Sequence, residues 1–202
     1  MDSGRPPLKL TSSQFLVGGA VLEGILLATA FLLGWLMDYS PTQDLYWDLT
    51  DFGLGLLATG PLMLLLLAMF ILPGSGIQNI REFLRDTLGP LLARCRVVDL
   101  FFLALLAGLC EEVLFRGFLF GWIWQYNRTF AVLICNLIFG MAHCVTPLYG
   151  FLAAMAGLYL TALLAIDPSP NLLIPVTTHT VYDFIAFLIV ARDYRQSVET
   201  SQ

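Results

Sequence analysis

The sequence predicts an all-α fold: a polytopic membrane helical bundle of about six transmembrane helices, with one further helix lying on the cytoplasmic surface. Three observations predict it. The 202 residues are 58% hydrophobic and 12% charged, with a mean hydropathy of +0.79, whereas soluble domains carry about 25% charged residues. The apolar residues gather into runs near the length that a bilayer core about 30 Å thick demands, roughly 20 helical residues. Eight of the ten basic residues fall on one side of the resulting topology, the asymmetry that orients membrane proteins.

Six runs are bounded by charges, prolines or glycines, at about 15–37, 54–72, 97–121, 130–144, 148–166 and 173–191. Residues 1–14 read as a polar cytoplasmic tail, 15–191 as a single membrane domain with its catalytic core at about 97–191, and 192–202 as a second cytoplasmic tail. The first run is too long for a signal-peptide core, carries Glu23, and has no small-residue cleavage site after it, so it is expected to stay as a helix. Glu23 either reaches inward or snorkels to the interface. After the second run, "IQNIREFLRDTLGPLLA" sets Ile77, Ile80, Leu84, Leu88 and Leu91 opposite Arg81, Glu82, Arg85 and Asp86, the pattern of an interfacial amphipathic helix.

Arg5, Lys9, Arg81, Arg85, Arg94, Arg96, Arg192 and Arg195 share one side, and Asp38, Asp44, Asp48, Asp51 and Asp167 face them with Arg128 as their lone basic neighbour. Both termini are therefore expected in the cytoplasm, with the chain a multi-pass protein of the cell inner or plasma membrane. Trp35, Trp47, Trp122, Trp124 and Tyr126 stand at the outer ends of runs, as an aromatic belt does. A pI near 4.8 and the lack of a basic stripe interleaved with aromatics exclude nucleic acid as a partner. Cys95, Cys110, Cys135 and Cys144 avoid the outer loops and are expected as free thiols.

The third run holds the sequence's least comfortable residues. "GLCEEVLFRG" places Glu111, Glu112 and Arg116 in it. Three such charges cost about 8 to 10 kcal/mol on insertion, against about 7 kcal/mol contributed by the run's Leu, Ile, Val and Phe residues. Charges kept at that disadvantage make a functional hypothesis by default. Adjacent residues on a helix point about 100° apart. Glu112 and Arg116 are four apart with the acid first, the favourable order for an ion pair, which leaves Glu111 on another face without a partner.

Both histidines lie in later runs. His143 ends "NLIFGMAH", sharing a face with Asn136 and Gly140, with Phe139 one turn before it; His179 precedes Asp183 by one turn. A desolvated carboxylate beside a neutral imidazole can activate water, and donors on a second helix can stabilise an oxyanion. Peptide hydrolysis within the membrane fits that set. A Ser-His dyad lacks a nearby serine, and an aspartyl dyad lacks a second intramembrane Asp. Rise per residue puts Glu111 about 21 Å from the inner end of its run and His179 about 9 Å from the outer end of its own, roughly level, with His143 expected deeper toward the cytoplasm. Gly117 with Gly121, Gly150 with Ala154, and Ala153 with Gly157 are small-xxx-small pairs that read as helix-packing positions.

At these residues the sequence resembles the CAAX protease and bacteriocin-processing family of intramembrane glutamate proteases, the group that includes the type II CAAX prenyl endopeptidase. Its motifs stand here as Glu111-Glu112-Val-Leu-Phe-Arg116, Phe139-Gly-Met-Ala-His143 and His179-Thr-Val-Tyr-Asp183, in order, on three separate runs. The resemblance implies that Glu111 and His143 activate the attacking water while His179 and Asp183 support the oxyanion or position the substrate. Glu112, Arg116, Phe139 and Asn136 support them. Where the motif's last position carries Asn an amide donor is present; ionised Asp183 accepts only, so it either orients His179 or holds a proton.

No cofactor is expected. The alternative is a zinc ion on Glu111, His143, His179 and Asp183, but no HExxH spacing accompanies it. The expected substrate is a membrane-associated protein or peptide met in the lipid bilayer. A second reading of the same residues is a non-catalytic scaffold or assembly factor on this fold, serving a membrane-protein partner.

Overall fold

The computed structural model of the protein describes residues 10–165 and 169–200. The sequence expectations for Arg5, Lys9 and Asp167 fall outside them. Read through their π-helical turns, the described residues form seven helices and no strand.

Five of the seven helices start beside a side chain that accepts from an amide of the first turn. Helix α1 (Ser12–Leu36) opens on a capping box: Thr11 Oγ1 accepts from Gln14 N at 3.2 Å and the Gln14 side chain accepts from Thr11 N at 3.0 Å. Helix α2 (Leu49–Ile71) is capped by Asp48, which accepts from Asp51 N at 2.9 Å. It starts ahead of the expected apolar run because the cap, not the first lipid-facing residue, sets the helix start. Helix α3 runs Ser75–Phe83, through a π-helical turn Leu84–Leu88, to Gly89–Leu92. Helix α4 runs Val97–Glu112, then a π segment Val113–Phe120, then Gly121–Trp124. Helix α5 (Arg128–Ala142) is capped by Asn127 through Phe130 N at 3.0 Å. Helix α6 (Pro147–Ala165) begins beside Thr146, whose hydroxyl accepts from Tyr149 N at 3.1 Å. Helix α7 (Leu173–Thr200) follows Asn171, which accepts from Leu173 N at 2.9 Å. The expected C-terminal tail is thus helical as far as Thr200.

Four helices, α1, α2, α6 and α7, are long and apolar enough to cross a membrane. Helix α5 is apolar but has only 15 residues, and the apolar run of α4 is divided by its π segment. Length and composition therefore mark four spans rather than the six expected from the apolar runs alone.

The core is built on α7, which packs along α4 and α2, while α5 pairs with α6 and α1 lies against α4. Outward faces are greasy: Val17, Leu22 and Trp35 on α1, Leu57 and Leu64 on α2, and Leu133 and Leu137 on α5 are each more than half exposed. In water such surface would be a liability; in hydrocarbon it is solvated. The buried residues of α1 are Glu23, Ala30 and Gly34, so the one charged side chain of that helix faces inward.

The two ends of the bundle differ in charge. At one end Arg94 donates to Leu10 O at 3.1 Å, Arg195 to Ala93 O at 2.7 Å and Arg81 to Phe70 O at 3.1 Å, so arginines close carbonyls that the helix ends leave open. At the other end Asn171 donates to Tyr46 O at 3.0 Å and to Asp51 at 2.8 Å, and Asp38, Asp44 and Arg128 edge a cavity of about 640 Å³.

Candidate active site

Helix α4 crosses α7 at Gly108. A Cβ there would meet the Thr180 hydroxyl and, at 2.8 Å, its backbone nitrogen, so only glycine lets the two backbones come this close. That crossing brings the two glutamates of α4 against His179. Both side-chain positions of the Glu112–Arg116 pair are completely buried, and Arg116 Nη1 donates to Glu112 Oε1 at 2.8 Å. The guanidinium is satisfied on its other edges too: Nη2 donates to Gly157 O at 2.8 Å, Nε to Thr161 Oγ1 at 3.4 Å, and its carbon lies 4.4 Å from the centre of the Phe139 ring. Gly157 is again required, because a Cβ there would stand 2.9 Å from Arg116 Nη2. Thr161 in turn donates to Asn136 Oδ1 at 3.1 Å, and Asn136 Nδ2 closes onto Val132 O at 2.8 Å. The network ties α4, α5 and α6 together.

Glu112 has a second role that spacing within one helix does not reveal. His179 Nδ1 donates to the same Oε1, at 2.8 Å, while His179 Nε2 faces Asp183 Oδ2 at 3.5 Å. Arg116, Glu112, His179 and Asp183 therefore form one line in which basic and acidic groups alternate, fixed at the arginine end.

Glu111 sits differently. Its Oε2 is buried and has no hydrogen-bond partner among the described residues, and the nearest basic group is His143 Nε2 at 3.7 Å, beyond the range of a direct hydrogen bond. His143 is the residue that caps the C-terminal end of α5, not a residue inside a span. Its Nδ1 lies 2.9 Å from Phe139 O. A carbonyl only accepts, so Nδ1 carries the hydrogen, and the neutral ring presents a lone pair at Nε2. With Glu111 ionised, two acceptors face each other across that distance. The expected depth offset of His143 is absent, because α5 is short and ends level with Glu111.

Glu23 of α1 is buried, with Oε2 unpartnered, and lies within electrostatic reach of His179 and Asp183. Of its two sequence readings, the inward one is what the structure shows. Thr161, Gly157, Tyr149 and Tyr182 belong to the polar centre or its rim and were not singled out for that from sequence. The signal for Thr161 is slight: one threonine in an apolar helix, one turn after Gly157. A crevice of about 90 Å³ opens on His143, His179 and Asp183 between α2 and α6. The larger cavity at the other end reaches this centre only through Arg116. Among the described residues no group of three or more His, Cys, Asp or Glu side chains is arranged to hold a metal ion.

Fold and site together define the class: an all-helical membrane protein with a buried carboxylate–imidazole centre. Residues 93–185 match the family model Rce1-like, described as Type II CAAX prenyl endopeptidase Rce1-like. The resemblance read from the three motifs is borne out by this match, which spans all three of them. That description points to a protease acting on membrane-associated substrate. No curated protein and no solved structure matches the chain.

Proposed function

We propose that the protein is an intramembrane endopeptidase that hydrolyses a peptide bond of a membrane-associated protein or peptide with water activated by Glu111 and His143. The gap between Glu111 Oε2 and His143 Nε2, 3.7 Å with an acceptor on each side, carries this reading. One water placed beside it donates a hydrogen to each acceptor and keeps a lone pair for attack. The water oxygen bonds to the scissile carbonyl carbon as Glu111 takes its proton. The carbonyl oxygen becomes an oxyanion, and His179, held by Glu112 on one nitrogen, offers its other N–H to that oxygen, with Asp183 orienting the ring. Collapse breaks the C–N bond, and the proton passes to the departing amine, leaving a carboxylic acid and an amine.

The reaction needs no metal in this reading. The six-run topology with both termini cytoplasmic, in the cell inner or plasma membrane, belongs to the same proposal. It is supported by the gathering of Arg81, Arg94 and Arg195 at one end and of Asp38, Asp44 and Asp51 at the other.

Comparative membrane proteomics of cells carrying the wild-type chain, Glu111→Gln or His143→Ala tests the reading. An uncleaved membrane protein is expected to accumulate in both variants. Normal processing and normal cellular function in both would overturn hydrolysis in favour of a scaffold. Purified protein is expected to cleave without stoichiometric zinc and in the presence of a chelator; loss of cleavage on removing a stoichiometric metal would overturn the metal-free mechanism.

A further inference from the structure

Acceptors outnumber donors around His143, His179 and Asp183. Ionised Glu111 and Asp183 only accept. The N–H of His143 is directed at Phe139 O, 2.9 Å away, and its other nitrogen faces Glu111. His179 donates through Nδ1 to Glu112, which leaves one N–H, and that nitrogen already faces Asp183 Oδ2 at 3.5 Å. In the hydrolysis proposed above the oxyanion therefore has a single side-chain donor, shared with a carboxylate. Loss of one oxyanion donor costs a hydrolase about 10²–10³-fold in kcat, so a second donor here would carry much of the rate. Beyond these histidines and Asp183, the side chains that line the crevice are apolar save two, Tyr149 and Tyr182. Among the described residues neither phenol hydroxyl has a hydrogen-bond partner.

Of the two, Tyr149 stands where the charge develops. The attacked carbon lies beside a water held by Glu111 and His143, and its oxygen turns toward His179, so a second donor has to be near Glu111 and Asp183 together. Tyr149 on α6 lies within electrostatic reach of both, whereas Tyr182 on α7 lies in the field of Asp183, its chain neighbour, and of Tyr149 itself. Local packing fixes Tyr149 there. Its amide donates to Thr146 Oγ1 at 3.1 Å, which pins the first turn of α6. One residue later α6 crosses α5: a Cβ on Gly150 would stand 3.0 Å from Gly140 O, and a Cβ on Gly140 would stand 2.7 Å from Ala154 Cβ. The crossing falls three residues before His143 and one after Tyr149, so it carries both side chains into the same crevice. We propose that Tyr149 is a further catalytic residue of the hydrolytic site, its phenol O–H donating to the oxyanion beside the remaining N–H of His179. The inference rests on the hydrolytic reading above. The phenol keeps its proton throughout, sharing it by hydrogen bond while the carbonyl oxygen is negative and releasing that oxygen when the C–N bond breaks.

The test starts from protein termini, mapped by mass spectrometry in cell membranes, that depend on Glu111. A synthetic peptide spanning one of them, cleaved by detergent-purified protein, gives kcat and KM for the wild type, Glu111→Gln, Tyr149→Phe and Tyr182→Phe. Tyr149→Phe keeps the ring and breaks no bond of the folded chain. It is expected to lower kcat about 10²–10³-fold, with KM within about three-fold of the wild type and the melting temperature unchanged. Tyr182→Phe is expected to keep kcat within about three-fold. A wild-type kcat in Tyr149→Phe, beside an inactive Glu111→Gln, would overturn the donor and leave hydrolysis standing. So would a loss that appears in KM alone, a loss at Tyr182→Phe in place of Tyr149→Phe, or a fall in abundance or melting temperature of Tyr149→Phe, which would make the hydroxyl structural. Absence of any Glu111-dependent terminus would overturn both readings at once.

Discussion

Two adjacent glutamates on one helix occupy opposite kinds of environment. Glu112 accepts from a guanidinium and an imidazole at 2.8 Å each, with its side chain wholly buried. Glu111, one residue earlier, has neither a guanidinium nor an imidazole within hydrogen-bond range and faces His143 across 3.7 Å; an Oε2 without a hydrogen-bond partner is common to both glutamates. The first is anchored through its Oε1 in a network of donors and acceptors along α4, α5 and α6. The second stands beside His143, which lines the crevice between α2 and α6. On the hydrolytic reading proposed above, the difference gives Glu112 the structural role and Glu111 the proton transfer.

The largest effect that would break this division is at Glu112. Glu112→Gln leaves Arg116 as an unpaired charge in the bundle and keeps only a neutral carbonyl to accept from His179, and losing one partner of a buried pair costs about 3–5 kcal/mol. Abundance in membranes and the melting temperature of detergent-purified protein are expected to fall sharply. Normal values for both would dissolve the distinction between the two glutamates. Glu111→Gln comes next and moves a different quantity. Removing the base is expected to lower the cleavage rate by about 10²–10⁴-fold, while the melting temperature stays at or above that of the wild type, since no bond is lost. A destabilised Glu111→Gln protein that still cleaves would exchange the two roles.

The sequence carried much of this and missed particular parts for physical reasons. The three polar motifs were legible because charge in an apolar run is conspicuous and because one-turn spacing fixes which residues share a helix face. The Glu112–Arg116 pair follows from that spacing, and the pair is present at 2.8 Å. The Glu112–His179 bond was not legible. It depends on how closely α4 and α7 approach at Gly108 and Thr180, and no periodicity within one helix reports a crossing between two. Helix starts came out early in α1 and α2 because the caps Thr11 and Asp48 lie upstream of the apolar runs. The π segment at Val113–Phe120 left no mark that apolar patterning could register, since its residues are as greasy as those of the α-helix before it. His143 was expected deeper toward the cytoplasm from rise per residue along its own run, whereas packing between helices sets its Nε2 3.7 Å from Glu111 Oε2, which counting along one segment does not report.

Removal of one hydroxyl at two places sharpens the comparison further. Thr161→Val keeps the side chain's shape inside the closed network but strips Arg116 Nε and Asn136 Oδ1 of a shared partner. Buried groups left unsatisfied cost about 1–3 kcal/mol, which is expected to appear as a lower melting temperature. Cleavage per folded molecule is expected to change little, because Thr161 does not touch His179 or Glu111. A rate loss without a stability loss would place Thr161 in the chemistry instead.

Tyr159→Phe is expected to have the smallest effect on stability and the more informative one on activity. Its hydroxyl bridges α6 to Ala58 O of α2 at 2.8 Å, on the half-buried margin of the crevice. A hydrogen bond there is worth about 0.5–1.5 kcal/mol, less than the loss expected at Thr161, because the margin relaxes where the network cannot. Freed of that tie, α2 beyond Pro61 can lean away from α6 and widen the space between Leu65 and Ala156. The expected signature is a shifted KM and a kcat within about three-fold of the wild type, since no group that handles protons has moved. A fall in kcat with KM unchanged would mean that the tie positions His143 or His179 rather than the crevice wall, and the division between a rigid network and a yielding crevice would have to be drawn elsewhere.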